Sequence, residues 1–228
     1  MNMNWTVERI MSELKSRANA ENVDGMVRFG INPNGTLGIS IYVLRDYAKQ
    51  IGTNHALALE LWDTGLHETH LLASYIDDPK QVTEVQMETW VMDFDSWDVC
   101  DQVCSLFEES PFAYQKVFEW STRPEKFVKR AAFAILAGLA VHDKNATDDR
   151  FEQFFTIIES QAIDDRNFVK KSVNWSLRNI GKRNRRLNAR AVVCAHRIAH
   201  IDSRSAHWIA ADALRELTAK RTLARLKD

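Results

Sequence analysis

The sequence predicts an almost all-helical chain, and three observations carry that prediction. Its 228 residues contain four prolines, β-branched residues seldom alternate with polar ones, and apolar residues recur at three- and four-residue spacing in segment after segment. Along the chain that spacing places helices at about 5–19, 40–51, 54–63, 67–76, 80–92 and 97–108. They continue at about 112–121, 125–141, 148–162, 166–182, 186–200 and 205–225. Four of the eight glycines, Gly25, Gly30, Gly35 and Gly38, fall in GMVRFGINPNGTLG, the one place where helix is interrupted for long. No Gly-Lys-Ser/Thr follows and no strand precedes, so turns are expected there and a phosphate loop is not.

Internal repetition adds a constraint on how the helices are arranged. KFVKRAAFAIL (126–136) and NFVKKSVNWSL (167–177) carry Phe-Val-Lys-basic at the same point, with Phe127 and Phe168 separated by 41 residues. That period suits paired-helix HEAT-type repeats, which stack into a curved solenoid whose inner helices line a concave surface. The whole chain, 1–228, is expected to form one all-helical domain on that plan.

Composition sets limits. Hydrophobic residues at 45% and charged residues at 27% are ordinary for a globular protein with a sizeable core. Three cysteines, Cys100, Cys104 and Cys194, form no even framework, and MNMNWTVERIM has neither a basic leader region nor a long apolar run. No segment approaches the roughly 18 consecutive apolar residues of a membrane span. A reducing, cytoplasmic setting without membrane partners is expected. Its near-zero net charge is sorted along the chain: residues 1–114 hold 7 Lys and Arg against 18 Asp and Glu, and residues 115–228 hold 23 against 13. The basic half points to a polyanion partner or to electrostatic complementarity within the fold.

Within the acidic half, Asp93 and DSWDVCD (95–101) gather four carboxylates around Trp97. A calcium loop is excluded, since counting from Asp93 its sixth and twelfth positions hold Asp98 and Cys104 where Gly and Glu are needed. On a helix, Val99, Val103 and Leu106 point inward while Trp97 and Asp101 share an exposed stripe. In the next two long helices Val128, Ala131, Ile135 and Leu139, then Val169, Val173, Leu177 and Ile180, face inward. Lys126, Lys129 and Arg130 are expected to face out, as are Lys171, Trp175, Arg178 and Lys182. An indole inside a basic stripe marks a surface that meets phosphates together with a flat or cationic group.

SWDVCD with Trp97 and Asp101, FVKRAA with Arg130, and KKSVNWSLRNIGK with Trp175 and Arg178 resemble, in order and spacing, the AlkD-like DNA alkylation repair proteins. These are DNA glycosylases built from HEAT-like repeats. GIS (38–40), LRDYAK (44–49) and LELW (59–62) are also similar, so the likeness spans about residues 22–185. The resemblance implies excision of N3-alkyladenine and N7-alkylguanine from duplex DNA by a monomer needing no cofactor. Trp97, Asp101 and Trp175 match the catalytic cluster, and Arg130 matches a residue that holds the DNA backbone. It further implies an open concave groove in which the base stays stacked and no deep pocket is needed. Phe29 departs from the pattern, standing where better-known members have tyrosine.

The chemistry of these residue types is consistent with that implication. An N3- or N7-alkylated purine is cationic and already a good leaving group, so a carboxylate such as Asp101 need only offset charge on the sugar and orient or deprotonate a water. Indole faces at Trp97 and Trp175 favour that cation by about 0.5–2 kcal/mol. Lys129, Arg130, Lys170, Lys171 and Arg178 can bind phosphates. Two other classes stay open: a non-catalytic binder of distorted DNA on the same scaffold, and a HEAT-like protein-interaction module. Metal chemistry finds little support, because CAHRIAH offers Cys194, His196 and His200 without the Glu of a metalloprotease or a clear further ligand. Cys100 and Cys104 read as packing residues, and His67 and His70 as surface or helix-end residues, with His70 possible on the groove.

Overall fold

A computed structural model describes residues 5–227; residues 1–4, the start of the stretch read above for a leader, and residue 228 lie outside it. The described residues form fifteen α-helices and no strand. The chain divides into two compact units, 1–111 and 112–228. That boundary falls where the charge changes sign, since residues 112–114 carry none.

Unit 1 holds α1 (Val7–Ser16), α2 (Ala20–Val27), α3 (Ile41–Ile51), α4 (His55–Trp62), α5 (His67–Ile76), α6 (Glu84–Met92) and α7 (Trp97–Phe107). Polar side chains cap their free N–H groups: Asn19, Asn54 and Thr83 accept from the backbone of Asn22, Leu57 and Gln86. α5 is the hub, packing on α3, α4 and α7. Its neighbour Trp62 stacks between His70 and Trp90, with both ring centroids 4.0 Å away, and Phe94 and Phe107 extend the cluster. α2 is an element the spacing does not place: it buries no residue and carries Gly25, so Gly25 is helical and not in a turn.

Gly30 and Gly35 stand in turns and Gly38 in the irregular loop that follows, all at positive φ. Gly38 is the most constrained. Its φ is 78°, and a Cβ there would lie 2.2 Å from the carbonyl oxygen of Asn19. The loop around it is held by Glu68, which is fully buried on α5 and accepts backbone N–H bonds from Leu37, Gly38 and Ile39 at 2.8–3.1 Å.

Unit 2 holds α8 (Ala113–Ser121), α9 (Lys126–His142), α10 (Asp148–Glu152), α11 (Phe155–Gln161), α12 (Asn167–Gly181), α13 (Arg185–Ala199), α14 (Arg204–Leu217) and α15 (Lys220–Leu223). Two expected helices are broken: 148–162 into α10 and α11, and 205–225 into α14 and α15. α9 is buried along most of its length because Ala131, Ala132, Ala134, Ala137, Gly138 and Ala140 let neighbours approach closely. It packs on α8 and α12, and α12 packs in turn on α13 and α14. Gly181 closes α12, where a Cβ would come within 2.8 Å of Leu217 and Ala191 side-chain atoms. The repeated segments meet each other: the Phe127 and Phe168 rings stack at 6.0 Å. Hydrogen bonds then tie each inner helix to the next, Asn179 Nδ2 to Ala137 O at 3.0 Å and Asn174 Nδ2 to Asp212 Oδ2 at 2.6 Å.

Candidate functional site

The four carboxylates around Trp97 separate by role. Asp93 accepts from the Trp62 indole N–H at 2.8 Å, and Asp95 accepts from Asn32 Nδ2 at 2.6 Å. Asp98 pairs with His67, Oδ2 to Nε2 at 3.0 Å. Asp101 stands one turn beyond Trp97 on α7, and both are half-buried where full exposure was expected. Val99, Val103 and Leu106 are buried on the inner face of the helix, as their spacing requires. The start of α7 is fixed from outside: Ser96 Oγ accepts from Asn32 N at 2.9 Å, and Trp97 Nε1 donates to Phe29 O at 3.0 Å.

His67 is at a helix end, opening α5, but is buried and not at the surface, and His70 is half-buried. His67 is 6% exposed, and although burial alone would lower its pKa, the Asp98 carboxylate beside it, with Glu68 and Asp95, outweighs burial and raises it. His70 lies against Trp62 with Nε2 3.2 Å from Trp62 O, and burial lowers its pKa. Both belong to the packing of α5, which the apolar pattern of that helix could not show. Cys100 and Cys104 are buried among the inner residues of α7, as read from the sequence.

A cleft of about 460 Å³ opens beside Trp97. Phe29, Ile31, Ile39 and Leu71 supply apolar walls, and Glu21, His67 and Asp98 supply polar ones. The cleft is open to solvent, and the α2 segment and the loop held by Glu68 wall it beside the start of α7.

The remaining candidates lie in unit 2. Trp175 is half-buried on the side of α12 away from Val169, Val173, Leu177 and Ile180, all fully buried. Lys171 is exposed, and Lys170 Nζ sits 4.9 Å from the ring centre of Trp208, an exposed indole on α14 that the sequence did not single out. Three of the basic residues are placed otherwise than expected. Arg130 is 6% exposed, tucked under Phe168 with Nη1 donating to Phe168 O at 2.6 Å. Lys129 Nζ bonds Gln161 Oε1 at 2.8 Å and Asp164 Oδ2 at 3.2 Å. Arg178 Nη1 meets Glu216 Oε2 at 2.5 Å and Asp212 Oδ2 at 3.4 Å. Long side chains near a helix junction reach carbonyls and carboxylates of the next repeat, which places them in the packing between helices.

Among the described residues no helix is long and apolar enough to cross a membrane, and no group of three or more His, Cys, Asp or Glu side chains stands where it could hold a metal ion.

A family model described as DNA alkylation repair enzyme matches residues 10–217. No curated protein gives a significant match. One solved structure belongs to a family of proteins related to the HEAT-like repeat DNA glycosylases with affinity for branched DNA structures. It shares 19% identity over 97% of this chain and 100% of its own, with a TM-score of 0.77, and shows that the chain has a HEAT-like repeat fold. An engineered protein (13% identity, 78% of this chain and 91% of its own, TM-score 0.38) also aligns. So does a designed armadillo repeat protein in complex with a (KR)4 peptide (11% identity, 80% and 82%, TM-score 0.32).

Proposed function

The chain belongs to the DNA alkylation repair enzyme family, and on that premise we propose that it is a DNA glycosylase releasing cationic N3-alkyladenine and N7-alkylguanine from duplex DNA. The observation that carries this reading is the pair Trp97 and Asp101, one turn apart on α7 and both partly open to solvent. Asp101 offsets the positive charge that develops on the sugar and orients or deprotonates the attacking water. Trp97 offers an indole face to the same charge. Trp175 is assigned the second indole by its place in the family's motif and its position off the core face of α12. Lys170 and Lys171 are the backbone contacts, because Lys129, Arg130 and Arg178 spend donors within the fold.

The reading assigns no general acid to the reaction, so the leaving base must carry its own charge. N7-methylguanine and N3-methyladenine satisfy that condition, whereas neutral hypoxanthine and ethenoadenine do not. Incubation with methylated duplex DNA and analysis of released bases tests the reading, with the two methylated purines expected and hypoxanthine release from an inosine duplex negligible. Hypoxanthine release at a comparable rate would overturn the charge-based mechanism.

A second reading is a non-catalytic binder of distorted DNA. It is favoured by the structural likeness to a protein with affinity for branched DNA. Salt-dependent DNA binding without base release would select it. Absence of both binding and release would leave a protein-interaction module.

A further inference from the structure

The cations of unit 2 fall into two groups. On α13, Arg186 and Arg190 meet the carboxylates of Asp149 and Glu152 at 2.7–3.3 Å, and Arg197 meets Glu159 at 2.5 Å, so their charge is answered within the fold. Arg221 and Arg225 differ. Both are exposed, and among the described residues neither side chain has an ion-pair or hydrogen-bond partner. They lie on and just after α15, past residue 217 where the family match ends, so the likeness assigns them no role. The two guanidiniums open on a cleft of about 230 Å³ that is lined also by Lys182, Glu216, Thr222 and Leu226. Glu216 does not cancel them, because its carboxylate is engaged by Lys182 Nζ at 2.8 Å and by Arg178 Nη1 at 2.5 Å. Three cations against one carboxylate already paired leave a positive excess in the cleft. Its volume is below the roughly 300 Å³ at which small-molecule pockets begin, and no aromatic ring is among its described lining residues. A compact anion fits there and a stacked base does not. The cleft also has a direction. Lys171, Trp175, Arg178 and Lys182 follow one another at four, three and four residues on one face of α12, and Lys171 and Lys182 stand about 16 Å apart along its axis. α14 runs beside this helix in a constant register: Lys170 meets Trp208, Asn174 meets Asp212 and Arg178 meets Glu216, each pair 38 residues apart. The cleft lies where that junction ends, at Lys182 and Glu216.

We propose that this cleft is a phosphate-binding site, and that the phosphate it takes belongs to the backbone of a DNA strand lying along α12. Arg221 and Arg225 supply paired N–H donors that match phosphate oxygens, Lys182 adds a third charge, and the Thr222 hydroxyl adds a neutral donor. With Lys171 at the other end of the same face, the strand is anchored on both sides of Trp175. Two backbone contacts flanking that indole fix the register in which the duplex meets it, which one contact cannot do. The inference rests on the DNA-binding part of the proposed function and is independent of base release.

Binding of the full chain to an undamaged duplex, followed by fluorescence anisotropy over a range of salt, tests it with two double variants. Arg221→Gln with Arg225→Gln removes two exposed guanidiniums and should leave the melting curve unchanged, while the slope of log K against log salt is reduced by about one. Arg186→Gln with Arg190→Gln removes the same charge from α13, and its slope should equal that of the wild type. An unchanged slope in the first variant, or an equal reduction in both, would overturn the backbone contact. Calorimetric titration with inorganic pyrophosphate separates the sources of phosphate. The wild type is expected to bind it, and the Arg221 and Arg225 double variant to bind it about tenfold more weakly. That weakening together with an unchanged DNA slope would keep the phosphate site and overturn the DNA backbone as its source. No pyrophosphate binding at millimolar concentration, together with an unchanged slope, would overturn the site altogether. A wild type that binds no duplex would overturn the DNA reading, and pyrophosphate binding lost in the double variant would still support the phosphate site.

Discussion

His67 Nε2 lies 3.0 Å from Asp98 Oδ2, joining the first residue of α5 to the first turn of α7 at a buried point of unit 1. Because the imidazole pKa is raised in the fold, the protonated form is the one the native state favours. Its stabilisation is complete below the unfolded value of about 6.5 and disappears as pH rises through the higher folded value. The melting temperature gap between wild type and His67→Gln should therefore be wider near about pH 5.5 than near about pH 9. An identical gap at both would show that His67 is not charged in the fold. Asp98→Asn, which leaves the imidazolium without its counter-charge, should cost about 1–3 kcal/mol of unfolding free energy.

Glu68 offers a second test of unit 1. Its carboxylate accepts from three consecutive backbone N–H groups, so Glu68→Gln turns an NH₂ group toward donors. A loss of about 2–3 kcal/mol in denaturant unfolding is expected, with faster hydrogen exchange at Leu37, Gly38 and Ile39. Unchanged exchange at those amides would mean that the loop is held by other contacts.

Asp101→Asn keeps the size of a half-buried side chain and removes its charge. Release of N7-methylguanine from duplex DNA should fall by at least about a hundredfold, with DNA affinity little changed. Wild-type turnover in this variant would remove Asp101 from the mechanism.

Arg130 and Lys171 should behave in opposite ways. Arg130→Ala deletes a buried guanidinium bonded to Phe168 O and should destabilise unit 2 by roughly 2–4 kcal/mol. Lys171→Ala, at an exposed position, should leave the melting curve unchanged. It should reduce the slope of log K against log salt by about one. An unaltered slope would show that Lys171 makes no phosphate contact.

These contrasts show what a helical period reveals. Inner faces are legible: Val99, Val103 and Leu106 on α7 and Val169, Val173, Leu177 and Ile180 on α12 are all buried, and Trp175 is off that face. The period misplaces Arg130 because α9 is buried along most of its length, so that the side opposite Val128, Ala131 and Ile135 is covered as well. The Arg130 guanidinium is drawn in by a carbonyl 38 residues away. Nothing local to position 130 encodes that distance. Glu68 is invisible for the same reason, its partners being backbone groups 29–31 residues earlier. α2 escapes because it has no buried side chain to set a period. The break between α10 and α11 passes through Gln153 and Phe154, with neither glycine nor proline to announce it. Of the candidate site, the placement of Trp97 and Asp101 one turn apart on one helix is readable. The cleft is not, since Phe29, Ile39, Leu71 and Trp97 come together only through folding.

The hydrogen bonds between successive inner helices of unit 2 bear on how that unit assembles. Arg130 to Phe168, Asn179 to Ala137, Asn174 to Asp212 and Arg178 to Glu216 span 38 to 42 residues each. A nucleus formed at any one junction can therefore recruit the adjoining helix pair without waiting for distant chain to arrive. Cooperativity in such a unit passes from neighbour to neighbour, and it is only as strong as the weakest junction. Asn179→Ala, which removes the buried donor to Ala137 O, should separate a single melting transition into two, with α8 and α9 unfolding apart from α13 and α14.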